Sequence, residues 1–309
     1  MSTKRPIECC VQGRVLHITG GVLKIARLRS ESYVQVDDGL SFVLEFRKSR
    51  VRADILTFVE DINDPIVRYS FPHESERLAV LPITTYDEWF TKQLYNKPRN
   101  ALRKALKSGI EIRLEELSES VLTGIKAVYD ETPVRQGKRN RHYNKDLETI
   151  RKEHATLLDR SQFIVAYFAG EIIGFAKVTF SQDRGTLMNF LSKVSHRDKA
   201  VNNAILAKAV EICAERKMKC LAYGVWGSGG TRGLDEFKLA NGFACVEVPR
   251  YFVPLTWLGS VSLKAGVHRG LAHKMPAWLV DAAAKARKGW NTFRFSTVQK
   301  TVTRQRLAP

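Results

Sequence analysis

Residues Gln162–Phe180 read QFIVAYFAGEIIGFAKVTF. Two runs rich in β-branched and aromatic residues, Gln162 to Phe168 and Ile172 to Phe180, flank Ala169-Gly170-Glu171, where the glycine supplies the left-handed backbone of a tight hairpin turn. Outward from this hairpin toward the C-terminus, GTLMNFLSKV reads as a third strand. AVNNAILAKAVEICAERK then places Ile205, Leu206, Ala209, Val210, Ile212 and Cys213 on one helical face. MKCLAYGVW is a further buried strand, GSGGTRG a glycine loop, LDEFKLANG a short helix ended by Gly242, and FACVEVPRYFVPL a last strand. The order β–β–β–α–β–α–β predicts an α/β (α+β) fold, a mixed, mostly antiparallel sheet flanked by helices.

Toward the N-terminus, DEWFTKQLYNKPRNALRKALKSG has its apolar residues at helical spacing and ends at Gly109, and IEIRLEEL follows as a strand. SESVLTGIKAVYDET is a helix capped by Ser118 or Ser120 and stopped by Pro133, and KDLETIRKEHATLLD is another, with Asp146 directly before it as a cap. Residues up to Tyr86 read as short strands: RVLHITG, YVQVDD, SFVLEF, ADILTFVEDI, IVRYSF and LAVLPITTY. The chain is therefore expected to divide into a β-rich N-terminal region (1–86), a main domain (87–255) and a basic helical C-terminal extension (256–309). In that extension MPAWLVDAAAKARKGW reads as a helix with cations toward its end.

The net charge is +18, and from Gly259 onward ten Lys and Arg face the single acid Asp281. Such a block favours an anionic partner: nucleic acid, an anionic membrane face or a phosphate-rich substrate. No run of about 18 apolar residues occurs, and the N-terminus has no apolar stretch after its basic residues, which leads us to expect a cytoplasmic protein without a spanning helix. Trp278 and Leu279 beside Lys285, Arg287 and Lys288 would suit peripheral membrane contact. The five cysteines contain no C-x-x-C pair, so neither a disulfide framework nor a metal site is expected, and Cys213 and Cys220 read as buried thiols.

The predicted element order resembles the GNAT acyltransferase superfamily. NKPRNALRKALKSGIEIRL, FIVAYFAGEIIGFAKVTF and GLDEFKLANGFACVEVPRYFVPL resemble its Fem-like branch, which includes the tRNA-dependent peptidoglycan aminoacyltransferases. The resemblance covers roughly Tyr86 to Leu255, and it allows the N-terminal region to be a reduced GNAT-like half. It implies an N-acyltransferase that moves an acyl or aminoacyl group from a carrier (acyl-CoA, acyl-carrier protein or aminoacyl-tRNA) to an amine of a cell-envelope or polysaccharide precursor. It implies no tightly bound cofactor. It also implies a groove lysine near the domain's end, here Lys238 of Phe237-Lys238, able to neutralise a phosphate or the reaction's oxyanion. In relatives that use acetyl-CoA, the turn before the main helix carries glycines whose N–H groups hold the pyrophosphate. Here that turn reads SHRDKAVNN, without glycine, so His196, Arg197 and Lys199 would have to meet the donor with side-chain charge.

Acyl transfer to an amine needs a base and donors at the developing oxyanion. Glu131–Asp146, ETPVRQGKRNRHYNKD, gathers five Lys and Arg, a histidine, a tyrosine and two carboxylates. Glu131 or His142 could serve as base and Tyr143 could protonate a leaving group, while Arg135, Gln136, Lys145 and Asp146 could recognise an acceptor. A polar loop with Asp146 capping the next helix explains much of the same pattern. KPRNALRKALKSG carries Lys97, Arg99, Arg103, Lys104 and Lys107 with no acid among them, which suits contact of Arg99 and Arg103 with phosphates. The alternative from another class is a non-catalytic RNA-binding protein that keeps the fold and uses this basic helix and the basic tail on RNA.

Overall fold

Chain segments far apart in sequence build each of two units in the computed structural model, which describes residues 7–29, 36–49, 51–135, 137–227 and 232–269. Unit 1 draws its described residues from the chain up to Pro98, from Val178–Met188 and from Val210 on; unit 2 draws them from Arg99–Lys177 and Asn189–Ala209. The strands form a mixed, mostly antiparallel sheet with flanking helices, the class predicted from the sequence. Unit 1 takes residues from both sides of Tyr86, because strand pairing reaches across that point.

In unit 1, β1 (Ile7–Val11), β2 (Arg14–Thr19) and β3 (Ile25–Leu28) form an antiparallel meander, followed by α1 (Gly39–Lys48), β4 (Ile55–Val59) and β5 (His73–Pro82). After the short α2 (Tyr86–Glu88) and a π-turn at Trp89–Gln93, α3 (Asn96–Lys107) leads into unit 2. Unit 2 contains β6 (Glu111–Glu115), α4 (Glu119–Asp130), the two-residue strands β7 (Val134–Arg135) and β8 (Lys138–Arg139), α5 (Leu147–His154) and β9 (Ser161–Phe168). β10 (Glu171–Ser181), β11 (Arg184–Ser192) and α6 (Val201–Glu215) have residues in both units, and unit 1 is completed by β12 (Cys220–Val225), α7 (Arg232–Ala240), β13 (Ala244–Pro254) and α8 (Trp257–Lys264). Unit 1 has the strand order β1-β2-β3-β4-β13-β5-β12, with β3 parallel to β4 and β13 antiparallel to both of its neighbours.

The central hairpin has the turn expected of it: Ala169 (φ 49°) and Gly170 (φ 80°) are both left-handed, which matches the twist of the strands they join. Ser118 accepts from the Val121 amide at the start of α4, Asp146 accepts from the Thr149 amide at the start of α5, and Gly109 and Gly242 end their helices with positive φ.

Three local expectations are corrected. SFVLEF is the body of α1, not a strand: Asp38 caps it, and Phe42, Val43 and Phe46 fall on one buried face while Leu44 and Glu45 are exposed. Helical spacing and a cap outweigh β-propensity there. IVRYSF has no strand partner among the described residues; it is a loop held by the Tyr251 hydroxyl, which accepts from the Arg68 amide at 2.8 Å, while the Tyr69 hydroxyl accepts from the Gly39 amide. The run from Asp87 to Gly109 is broken at Leu94, whose ψ of 126° is extended, and the Tyr95 amide turns to the Ala240 carbonyl. A second helix starts at Asn96, and Pro98 fits its first turn because an N–H there would have no helical partner. Of YVQVDD, residues 33–35 lie outside the described residues, and Val36–Asp38 is not a strand. The C-terminal helix read in MPAWLVDAAAKARKGW also lies outside them.

Each unit has its own core. In unit 1, Phe42, Phe46 and Phe58 meet Leu16, Ala26, Leu56 and Tyr251. In unit 2, Val121, Leu122, Ile125 and Tyr129 of α4 meet Ile150 of α5 and Phe163, Val165 and Phe175 of the hairpin. No helix among the described residues is long and apolar enough to cross a membrane.

Candidate functional site

The polar segment after α4 and the glycine-free turn after β11 meet in unit 2. Glu131, just past the end of α4, sends its carboxylate to the start of the 194–199 turn: it accepts from the Val194 amide, from the Ser195 amide at 2.8 Å and from the Ser195 hydroxyl at 2.7 Å. Arg135, on β7, donates to the carbonyl of Ser192, the last residue of β11. A carboxylate held by backbone N–H groups is a charge-assisted arrangement stronger than neutral hydrogen bonding. Two segments that the sequence shows some sixty residues apart are thus latched together.

That latch sets the electrostatics. Burial raises the Glu131 carboxyl, but the hydrogen bonds from Ser195 and Val194 outweigh burial and hold it below the ordinary carboxylate value. A group so stabilised as an anion suits a cap better than a base working near neutrality. His142 does not take that role readily either: burial, then the charges of Arg141 and Lys145, lower it to about 4. Its ring stacks on Tyr129 with centroids 4.3 Å apart, and its Nε2 accepts from Arg141 at 3.1 Å. Arg135 is lowered by burial, with Glu131 opposing, and one of its terminal nitrogens is buried without a partner.

The remaining residues singled out in the segment divide between packing and surface. Asp146 is the cap of α5, bonded to the Thr149 amide at 2.8 Å and to the Thr149 hydroxyl, and these bonds lower it. Lys145 pairs with Glu153. Tyr143 is exposed, and Gln136 lies outside the described residues. Asn140, not singled out in advance, is buried and ties the segment down: its amide nitrogen donates to the carbonyls of Tyr129 (2.8 Å) and Thr132 (3.0 Å).

On the turn itself, His196 lies against Phe168 with ring centroids 5.7 Å apart, and the Lys199 ammonium stands 4.6 Å from the centre of the same ring. Arg197 is exposed. Ala200, directly after the turn, is left-handed at φ 53° and leads into α6. The Asp198 carboxyl is lowered by its hydrogen bond to Lys199 and, last among the causes, by the charge of Lys104 on α3. The basic helix therefore stands near enough to this turn for its charge to be felt there. Arg103, Lys104 and Lys107 of α3 are exposed and Arg99 is half-buried, with Arg103 donating to Asn100.

Lys238 belongs to unit 1. Its side chain is buried on α7, its ammonium donates to the Val225 carbonyl at 2.9 Å and lies 5.1 Å from the centre of the Tyr223 ring, and burial lowers its pKa with Asp235 opposing. The buried thiols behave as expected: burial pushes Cys213 to about 12 and Cys220 to about 11, which removes thiolate chemistry at neutral pH. A soluble disulfide reagent at pH 8 is therefore expected to modify exposed Cys10 within the native protein and to reach Cys213 and Cys220 only after denaturant is added; reaction of either buried thiol at the rate of Cys10 would contradict this placement.

The sequence also left unmarked a buried polar cluster under the segment. Tyr129 Oη and His154 Nε2 are 3.1 Å apart, and the Lys177 ammonium donates to the carbonyls of His154 (2.8 Å) and Thr156. Lys177 lies among apolar residues in GFAKVTF, so the only signal was a lysine within the buried stretch Ile172–Phe180 of β10.

No known family profile matches the chain, and no curated protein matches it. Solved structures do. The C-terminal domain of a putative lysylphosphatidylglycerol synthetase from Agrobacterium fabrum superposes with a TM-score of 0.55 at 13% identity, over 85% of this chain and 88% of that one. The L-PGS structure from Bacillus licheniformis gives 0.54 at 13% identity, over 84% and 87%. FemX gives 0.53 at 11% identity, over 78% and 84%. The chain has the GNAT-like fold, in the form seen in these Fem-like and lysylphosphatidylglycerol synthetase structures.

Proposed function

We propose that the protein is an N-acyltransferase that moves an acyl or aminoacyl group from a carrier to an amine of an envelope or polysaccharide precursor. The observation that carries this reading is the latch of Glu131 and Arg135 onto the 194–199 turn, on a fold shared along most of the chain with FemX and a lysylphosphatidylglycerol synthetase domain. In the reaction the acceptor nitrogen attacks the carrier's acyl carbon, a C–N bond forms, and the carrier's ester or thioester bond breaks. The amine's proton leaves with the carrier's oxygen or sulfur, or through solvent.

The parts of unit 2 then have distinct work. The Glu131 carboxylate occupies the Val194 and Ser195 amides and so rigidifies the turn. His196, Arg197 and Lys199 are carried by that turn toward the donor, and Arg99, Arg103 and Lys104 of α3 add positive charge for its phosphates. The exposed part of the segment that follows Glu131, Tyr143 included, is left to meet the acceptor. Lys238 holds α7 to β12 in unit 1, and the latch itself lies in unit 2.

Supplying purified full-length protein with labelled aminoacyl-tRNA, acyl-CoA or acyl-carrier protein, each with a panel of amine acceptors, tests this reading. Transfer from one carrier class is expected. The double variant Arg103→Ser/Arg197→Ser is expected to weaken carrier binding with a shallower salt dependence, since each phosphate left without its cation takes about one unit off the slope. Salt-dependent RNA binding with no transfer from any carrier would instead establish the RNA-binding alternative, for which the acid-free face of α3 speaks.

A further inference from the structure

A cavity of about 540 Å³ opens in unit 1, lined by none of the candidate site residues above. Its position follows from strand register. Ile25 of β3 pairs with Ile55 of β4, and Ile55 pairs with Pro254 of β13, so three adjacent strands end flush. Lys24, Asp54 and Leu255 are the residues just beyond those ends, and Phe46 and Arg47 of α1 with Val51 and Arg52 after it line the other side.

The walls are of two kinds. Phe46 and Ala53 are buried and, with half-buried Val51 and Leu255, make an apolar floor. Lys24, Arg47 and Arg52 bring three cations to the same space. The one acid in the lining is already engaged: Asp54 accepts from the Lys24 amide at 2.8 Å through one oxygen and from the Thr256 hydroxyl at 2.7 Å through the other. Among the described residues none of the three cationic side chains has an ion-pair or hydrogen-bond partner, whereas Arg14, Arg29, Lys48 and Arg68 of the same unit are all paired. The place is also rigid. The Asp54 and Ile55 amides both donate to the Lys24 carbonyl, the Leu255 amide donates to the Asp54 carbonyl, and a Cβ on Gly259 would come 2.0 Å from that same oxygen.

A preformed cleft of several hundred Å³ that sets converging charged groups over an apolar floor has the form of a small-molecule site. Three cations and one acid leave two positive charges, which match the nearly two negative charges of a phosphate monoester at neutral pH. Two guanidinium forks suit its oxygens better than ammonium groups would. We infer that this cavity binds an organic phosphate monoester whose apolar group lies over Phe46 and Leu255 while its phosphate meets Lys24, Arg47 and Arg52. The site is distinct from the transfer reading and would survive its failure.

Titration calorimetry on the full-length protein tests the inference with hexyl phosphate, inorganic phosphate and hexanol as probes. Because the chain is basic elsewhere, each is compared between the natural protein and Arg47→Ser/Arg52→Ser, two exposed positions whose change should leave the thermal midpoint in place. Hexyl phosphate is expected to bind at least about tenfold more tightly than inorganic phosphate, since burial of several methylenes is worth more than the 1.4 kcal/mol of one decade, and the double variant is expected to lose at least a decade for hexyl phosphate. Phe46→Ala, if folded, should lose the preference for the hexyl chain. Vesicles containing phosphatidic acid, whose headgroup is a phosphate monoester, form a second arm: variant-sensitive capture assigns the source to a lipid headgroup, and variant-sensitive binding of the soluble ester alone assigns it to a free metabolite. Absence of hexyl phosphate binding at millimolar concentration, or equal binding by the double variant, overturns the proposal.

Discussion

Glu131→Ala should lower transfer by roughly two orders of magnitude while the protein stays folded, because a turn that positions a substrate need shift by only about 1 Å to cost that much. The residue supplies three acceptor contacts to Val194 and Ser195, and nothing beside it can replace them. Released from that anchor, His196, Arg197 and Lys199 lose their common orientation, so both the KM for the carrier and kcat should suffer. Glu131→Gln separates positioning from proton transfer. It keeps one acceptor oxygen and should retain intermediate activity. Since hydrogen bonding holds the Glu131 carboxyl below its ordinary value, the pH–rate profile near neutrality should be the same in Glu131→Gln as in the natural protein. A basic-limb pKa that disappears in Glu131→Gln would make Glu131 the base after all, and unchanged kcat/KM in Glu131→Ala would remove the latch from the mechanism.

Acid should unfold unit 2 before carboxylate titration does. His154 is fully buried, and burial, followed by the charge of Lys177, lowers it to about 4; His142 is lowered similarly by burial and by Arg141 and Lys145, with Glu153 opposing in both cases. Both imidazoles are therefore neutral in the native protein and take up a proton below about pH 6.5 once unfolded. The unfolded state binds more protons between those values, so stability is whole above about pH 6.5 and declines as pH falls toward 4. A shift of that size makes the contribution of His154 approach about 3 kcal/mol at the acid end. The half-exposed His142 adds less, in the same direction. Urea midpoints at pH 7.5 and 4.5 read this directly, and His154→Phe should narrow the gap between the two. An equal gap in the variant would place the acid sensitivity elsewhere.

The central hairpin and the elements around it were legible because their signals are local. Ala169-Gly170 dictates its own turn, Ser118 and Asp146 sit where a cap must, and the apolar stripe of α6 repeats at helical spacing. The N-terminal region misled where two local signals competed. SFVLEF has the composition of a strand and the spacing of a helix, and the cap at Asp38 together with the Phe58 and Leu16 core decides for the helix. IVRYSF has strand composition but forms no strand, and the hydroxyl of Tyr251, far along the chain, accepts from its Arg68 and Tyr69 amides instead.

The candidate site was legible as composition and not as geometry. ETPVRQGKRNRHYNKD and SHRDK announce polar chemistry by their residues, yet nothing local says that Glu131 spends its carboxylate on Val194 and Ser195, that His142 lies flat on Tyr129, or that Lys177 reaches the carbonyls ending α5. Each of these depends on which buried groups remain unsatisfied once the sheet has formed, and that is a property of the assembled unit.

By itself the sequence determined what short-range forces decide: the turns, the caps, the helical and strand periods, the order β–β–β–α–β–α–β and with it a mixed, mostly antiparallel sheet flanked by helices. Only the tertiary structure decided that β13 is inserted between β4 and β5, that unit 1 is closed by strands from both ends of the chain, and that two polar stretches become one latch. The physical reason is that strand partners and buried hydrogen-bond partners are chosen by proximity in space, where the desolvation cost of an unpaired group outweighs any preference its neighbours in sequence express.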